Sequence, residues 1–67
     1  MTGREVLRVI ERRGCSRLRQ RGSHVIVRCS GGCQSVVPVH SGQDIPSGTL
    51  RAIERALERC LGKGWLR

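Results

Sequence analysis

The residues best suited to carry out chemistry lie together in residues 19–28, where a histidine follows a Gly-Ser pair between arginines. His24 is the candidate acid or base, because an imidazole gains and loses a proton near neutral pH. Arg21 and Arg28 flank it, and guanidinium groups are suited to binding phosphate oxygens. The β-branched run Val25–Val27 predicts a rigid strand with His24 at its start. This stretch is the best candidate site in the sequence.

The chain before this histidine predicts a basic strand face. Residues 16–21 alternate in character, which places three arginines on one face of a strand and Leu18 and Gln20 on the other. A row of cations is suited to a phosphate backbone, although an alternating basic strand can also be only a solvated sheet face. The residues predicted to contact a polyanion are these arginines, the two turn residues and the arginine that ends the next strand: Arg17, Arg19, Arg21, Gly22, Ser23 and Arg28.

The composition favours a polyanionic partner. Thirteen Lys and Arg against five Asp and Glu give a formal net charge of +8 in 67 residues. Such a balance is typical of proteins that bind nucleic acid, anionic membranes or acidic proteins. Trp65 is the one aromatic residue, which argues against base stacking on aromatic platforms. No apolar run approaches the length of a membrane span and no secretory signal is recognisable, so a cytoplasmic protein without membrane contact is expected.

The hydrophobic and turn patterns predict five elements. Thr2 and Glu5 form a capping box before an apolar stripe, and Gly14 is suited to the left-handed position after a helix. Ser47 is the expected N-cap of a second helix, which Gly62 ends. The predicted ranges are a helix over 3–13, strands over 16–21, 24–29 and 34–39, and a helix over about 49–61.

This order, α-β-β-β-α, predicts an α+β fold in which a three-stranded antiparallel sheet carries both helices on one face. Pro38 cannot donate to a strand ladder, so the third strand is expected at an edge. The chain is read as a single domain over 1–67, with residues 62–67 as a short tail. Trp65 in this tail is expected either to pack on the domain or to dock on a partner.

The cysteines and the second histidine leave several interpretations open. In a cytoplasmic protein the four cysteines are expected to be reduced, with Cys60 in the core. Cys29 and Cys33 bracket a turn. They could be ordinary residues at the ends of strands, they could form half of a zinc site, or they could form a cross-strand disulfide on oxidation. His40 is either a second acid–base group or the first residue of a loop, and the loop is favoured.

The sequence resembles the HicA-type toxins, which are small basic ribonucleases of HicA–HicB toxin–antitoxin pairs. The matching stretches are Arg19-Gln20-Arg21-Gly22-Ser23-His24 entering a strand, Val37-Pro38-Val39-His40-Ser41-Gly42, and Asp44-Ile45-Pro46-Ser47-Gly48-Thr49-Leu50-Arg51-Ala52-Ile53. Together with the short helix before Gly14 they cover about residues 2–61.

The resemblance implies a fold similar to double-stranded-RNA-binding domains and cleavage of mRNA without a metal or other cofactor. It implies that His24 is the catalytic residue and that a HicB-type antitoxin covers and inhibits the site. The polyanion-contacting residues named above then become the predicted RNA-binding residues. Two other functions fit the residues. One is a non-catalytic RNA-binding module of the same fold, and the other is an interaction protein whose positive charge is used only to bind an acidic antitoxin.

Overall fold

The computed structural model describes residues 1–66, so Arg67 of the predicted tail lies outside the described residues. The elements, in chain order, are α1 (Gly3–Arg12), β1 (Ser16–Arg21), β2 (His24–Arg28), β3 (Gln34–Pro38) and α2 (Ser47–Leu61). The predicted α-β-β-β-α order is confirmed, with boundaries that differ by a residue or two.

The start of α1 is fixed by the predicted capping box. The Glu5 backbone N–H donates to Thr2 Oγ1 at 3.2 Å, and the Thr2 backbone N–H donates to Glu5 Oε1 at 2.8 Å. Accepting this backbone hydrogen bond holds the pKa of Glu5 below its usual value of 4.5. The cap is therefore complete above that value and weakens as the pH falls through the lowered pKa. Gly14 after the helix has φ +94°, as the sequence predicted.

The sheet is antiparallel, and β2 is its central strand, between β1 and β3. Its inner face is apolar because Val25 and Val27 of β2 and Val37 of β3 are fully or almost fully buried. Both helices cover this one face and contribute their apolar stripes to the same core. The buried helix residues are Val6, Leu7 and Ile10 of α1, and Ile53 and Leu57 of α2. The opposite face of the sheet, here called the open face, is covered by neither of the two described helices.

The start of α2 corrects one prediction. The helix begins at Ser47 itself, and the N-cap is Pro46, whose side chain makes no cap hydrogen bond. Proline has an extended conformation here, and its carbonyl accepts the Leu50 N–H at 2.9 Å. The tail packs on the home domain: Trp65 is 3% exposed, and its indole N–H donates to the Glu54 carbonyl at 2.8 Å.

The cysteines correct a second prediction. All four are paired, in the disulfides Cys15–Cys29 and Cys33–Cys60. The expected thiols, the Cys29–Cys33 pair and the zinc alternative are therefore wrong, because disulfide sulfurs are not free to bind metal. Within residues 1–66 no group of three metal-ligating side chains occurs.

Tertiary packing explains this pairing. Cys29 and Cys33 are neighbours across the β2–β3 turn, but both side chains point to the helix side of the sheet, where Cys15 and Cys60 approach them. Cys60 is half-buried beside the core rather than within it.

We expect each bridge to contribute strongly to stability, because a core of this size is marginal. The bridges span sequence separations of 14 and 27 residues. In the loop-closure account, loops of this length stabilise the folded state by about 3 to 4 kcal/mol each. Replacing either pair by alanines should lower Tm by about 12–30 °C, measured by circular dichroism without reductant. Dithiothreitol should then lower the Tm of the unmodified chain further than either variant, and an unchanged Tm would contradict the prediction.

Gly3 is required by a close approach between α1 and β3. A Cβ at this position would overlap the carbonyl oxygen of Pro38, a backbone atom that moves only with the sheet. Gly3→Ala should therefore destabilise the fold by about 1–3 kcal/mol, measured by urea denaturation. Gly48→Ala in the first turn of α2 is the matched control, because no atom lies near its Cβ position. That variant should be neutral or more stable by about 0.5 kcal/mol, and equal effects at the two sites would contradict the assignment.

Candidate nucleic-acid interface

The candidate site is built on the turn between β1 and β2. Arg21 and His24 are register partners, so Gly22 and Ser23 form a two-residue hairpin loop. Gly22 has φ +60°, and among residues 1–66 only glycines have a positive φ. Glycine at the first central position with a negative φ after it is the type II′ arrangement. Glycine is therefore needed here to bring β1 directly onto His24.

Two hydrogen bonds hold this turn from the sides. The Gln20 side-chain amide donates to the Gly22 carbonyl at 2.9 Å. The Val39 backbone N–H donates to the Ser23 carbonyl at 2.6 Å, which joins the turn to the chain leaving β3. Both carbonyls of the loop are thus satisfied by the protein. The two contacts tie the backbone leading into His24 to β1 and to the segment after β3.

His24 lies on the open face with its imidazole exposed. Its register partners are Arg21 on β1 and Pro38 on β3, so it is at the middle of the sheet end nearest the turn. No hydrogen bond or ion pair of its side chain occurs among residues 1–66. Both ring nitrogens are therefore available to exchange protons with a bound ligand.

A β-bulge at Leu18 corrects the predicted basic face. Arg17 is opposite Val27, whereas Arg19 is opposite Ile26, so one extra residue is inserted between them. Directly paired residues share a face, and Val27 is buried beneath the helices. Arg17 therefore lies on the helix side, where its guanidinium pairs with Glu11 at 3.1 Å. The prediction that Arg17, Arg19 and Arg21 share one face is wrong for Arg17.

The open face nevertheless gathers most of the predicted residues. Arg19 and Arg21 of β1 and Arg28 of β2 share it with His24, and all four are exposed. No acidic residue of the described chain lies on these three strands, so no carboxylate interrupts the row. Exposed apolar surface lies beside it at Val36, which is 47% exposed. This arrangement can hold a phosphodiester against a histidine.

His40 lies in the loop that follows β3, two residues after Pro38. It lines a hollow of about 290 Å³ with Gln43, Asp44 and Pro46, and also with Pro38, the register partner of His24. The predicted loop position of His40 is confirmed. The role of Gln20 was not predicted from the sequence: its side-chain amide holds the turn by donating to the Gly22 carbonyl. The available signal was a side-chain amide two residues before a glycine.

A second basic surface was also missed. Arg4 and Arg8 of α1 line a groove of about 390 Å³ with Arg17 and Gln20 of β1. The signal was the four-residue spacing of the α1 arginines, which places them on one side of the helix.

None of the helices described in residues 1–66 is long and apolar enough to span a membrane.

One comparison with known proteins gives a family match. A family model described as the HicA toxin of bacterial toxin–antitoxin systems matches residues 3–59. No curated protein and no solved structure gives a significant match. The family match covers most of the chain, and toxins of this family are mRNA interferases, which assigns a nuclease role, an RNA target and an antitoxin partner. The chain therefore belongs to the HicA toxin family of bacterial toxin–antitoxin systems.

Proposed function

We propose that this toxin cleaves mRNA on the open face of its sheet, with His24 as the catalytic residue and without a metal ion. The observation that carries the proposal is the position of His24. It is an exposed, unpaired imidazole that follows a turn held by two hydrogen bonds and has an arginine as its register partner. A rigid backbone matters because misplacement by about 1 Å can cost on the order of 100-fold in rate.

The chemistry needs one proton to leave and another to arrive. The ribose 2′-oxygen attacks phosphorus while a base removes its proton, and the bond from phosphorus to the 5′-oxygen breaks as that oxygen gains a proton. The products are a 2′,3′-cyclic phosphate and a 5′-hydroxyl. An imidazole can act as the base for the 2′-hydroxyl or as the acid for the 5′-oxygen. His24 is proposed for this proton transfer because it is the histidine on the basic open face.

The arginines of the open face are proposed to hold the scissile phosphate. Arg21 is directly opposite His24, and Arg19 lies two residues back on the same strand and face. Fixed cations beside a phosphate stabilise the charge that builds up on its oxygens in the transition state. Gly22 and Ser23 are assigned to shaping the turn, since both of their carbonyls are already bonded within the protein.

A HicB-type antitoxin is proposed to inhibit the toxin by covering this face. The support is the mixed character of the surface, where a cationic row adjoins Val36 and the bulged Leu18, each 47% exposed. A protein interface commonly combines an apolar centre with a charged rim. An acidic partner seated there would bury the apolar side chains and compete with RNA for the arginines.

His24→Ala should abolish cleavage while RNA binding is retained. Purified wild type and variant are incubated with a structured mRNA in EDTA, and cleavage ends are mapped and tested for a 2′,3′-cyclic phosphate. We expect loss of at least about 100-fold in rate, as is typical when a general acid or base is removed.

His40→Ala is the matched control for this experiment, because that histidine lies in the loop after β3 and not on a strand of the open face, and it should cleave at the wild-type rate. If both wild type and His24→Ala bind RNA and neither cuts it, the catalytic proposal fails and a non-catalytic RNA-binding module takes its place.

Arg19→Gln with Arg21→Gln should lower cleavage more than the same loss of charge elsewhere. We expect a fall of about 10-fold or more in kcat/KM, because the phosphate loses two cations beside His24. Arg51→Gln with Arg55→Gln on the exposed side of α2 is the control with the same net charge. Equal effects of the two double variants would show that only overall charge matters.

A further inference from the structure

We infer that the groove between α1 and β1 is a second RNA-binding surface, which holds the sugar–phosphate strand that runs on from the open face around the β1 edge. The inference rests on the proposed function and extends it to residues outside the predicted site. The groove has a volume of about 390 Å³ and is lined by Arg4, Arg8, Arg17 and Gln20 over an apolar floor of Leu7, Val25 and Val39.

The cations of the groove wall are available to a ligand. Arg4 and Arg8 are exposed, and neither has an ion pair or side-chain hydrogen bond among the described residues. The two acidic residues of α1 are already engaged, since Glu5 closes the capping box and Glu11 pairs with Arg17. The unpaired charge facing the groove is therefore positive, and its natural ligand is an anion.

The spacing of these cations suits a strand rather than a single small anion. Arg4 and Arg8 are one helical turn apart, a rise of about 6 Å along the axis. This is comparable to the separation of successive phosphates on an RNA strand. The floor beneath them is apolar, because Leu7 and Val25 are 2% exposed and Val39 is half-buried. Such a floor accepts a ribose or a base better than it accepts a free phosphate ion.

The groove adjoins the turn that precedes His24. Gln20 lines it and also donates to the Gly22 carbonyl in the turn before His24. Val39 lines its other end and donates to the Ser23 carbonyl. All six residues of β1 are exposed, and no strand of the described part of the chain pairs with its outer edge. A strand can therefore pass from Arg19 and Arg21 on one face of β1 to the groove on the other.

The Glu11–Arg17 pair gives the inference a second test. Glu11 is the acidic group that holds the groove cation Arg17, at 3.1 Å, and both side chains are about half exposed. An exposed pair of this kind contributes little to stability. Replacing Glu11 by glutamine should leave the fold intact and free Arg17 for the RNA.

The experiment measures binding of a short labelled single-stranded RNA by fluorescence anisotropy across a range of salt concentrations. All proteins carry His24→Ala, so that the RNA is not cut. Arg4→Gln with Arg8→Gln should weaken binding by about tenfold and reduce the log–log salt slope by about 1.4, which corresponds to two lost phosphate contacts. Glu11→Gln should tighten binding and steepen the slope by about 0.7.

Arg51→Gln with Arg55→Gln on α2 is the control that removes the same charge away from the groove. Circular dichroism establishes that each variant is folded. An effect of Arg4→Gln with Arg8→Gln no larger than that of the control, or a Glu11→Gln variant that binds no more tightly, overturns the inference. Cleavage is not read in this experiment, so failure of the groove and failure of His24 as a catalytic residue are separate results.

Discussion

The site depends on the burial of Val25 and Val27 beneath the two helices. These valines are 2% and 0% exposed, and together with Val37 they fix which face of the sheet belongs to the core. Successive side chains of a strand point to opposite faces, so His24, Ile26 and Arg28 must point outward. A slip of one residue in β2 would bury a histidine and an arginine, which is energetically forbidding. The hydrophobic core thereby fixes the orientation of the candidate catalytic residue.

Such a core is small, and covalent links supplement it. Tryptophan is its one aromatic residue, and the rest is valine, leucine, isoleucine and cysteine. Cys15–Cys29 joins the chain on either side of the β1–β2 hairpin, which carries every open-face residue of the candidate site. Cys33–Cys60 joins the beginning of β3 to the last turn of α2. The hairpin is thus closed by a disulfide at one end and by a hydrogen-bonded turn at the other, and His24 belongs to the turn end. Disulfides persist in oxidising compartments and are reduced where cellular reductants are abundant. The stability of the folded toxin therefore depends on the redox conditions around it.

The basic side chains of β1 lie on both sides of that strand. Because of the bulge at Leu18, β1 presents Arg19 and Arg21 to the open face and Arg17 to the groove beside α1. A regular strand would have concentrated all three on one side. The free edge of β1 lies between these two basic surfaces, which accounts for an arginine-rich strand in which every residue is exposed. The same row of cations that suits RNA also suits an acidic antitoxin, so substrate and inhibitor would compete for it.

The elements, their order and the chemistry of the turn could be predicted from the amino-acid sequence. Local signals sufficed for these, since a capping box, a glycine with a required positive φ and a β-branched run act within a few residues. Motif resemblance pointed to the family and to His24 for the same reason, because the relevant residues are contiguous. Tertiary structure alone decided the cysteine pairing, the place of Arg17 and the groove. Each of these depends on residues far apart in the chain: Cys60 reaches Cys33 only when α2 packs on the sheet, and the side of Arg17 depends on a bulge set by the partner strand. A period-two pattern carries no sign of one inserted residue, so the alternation of β1 predicted a regular strand that the pairing with β2 does not allow.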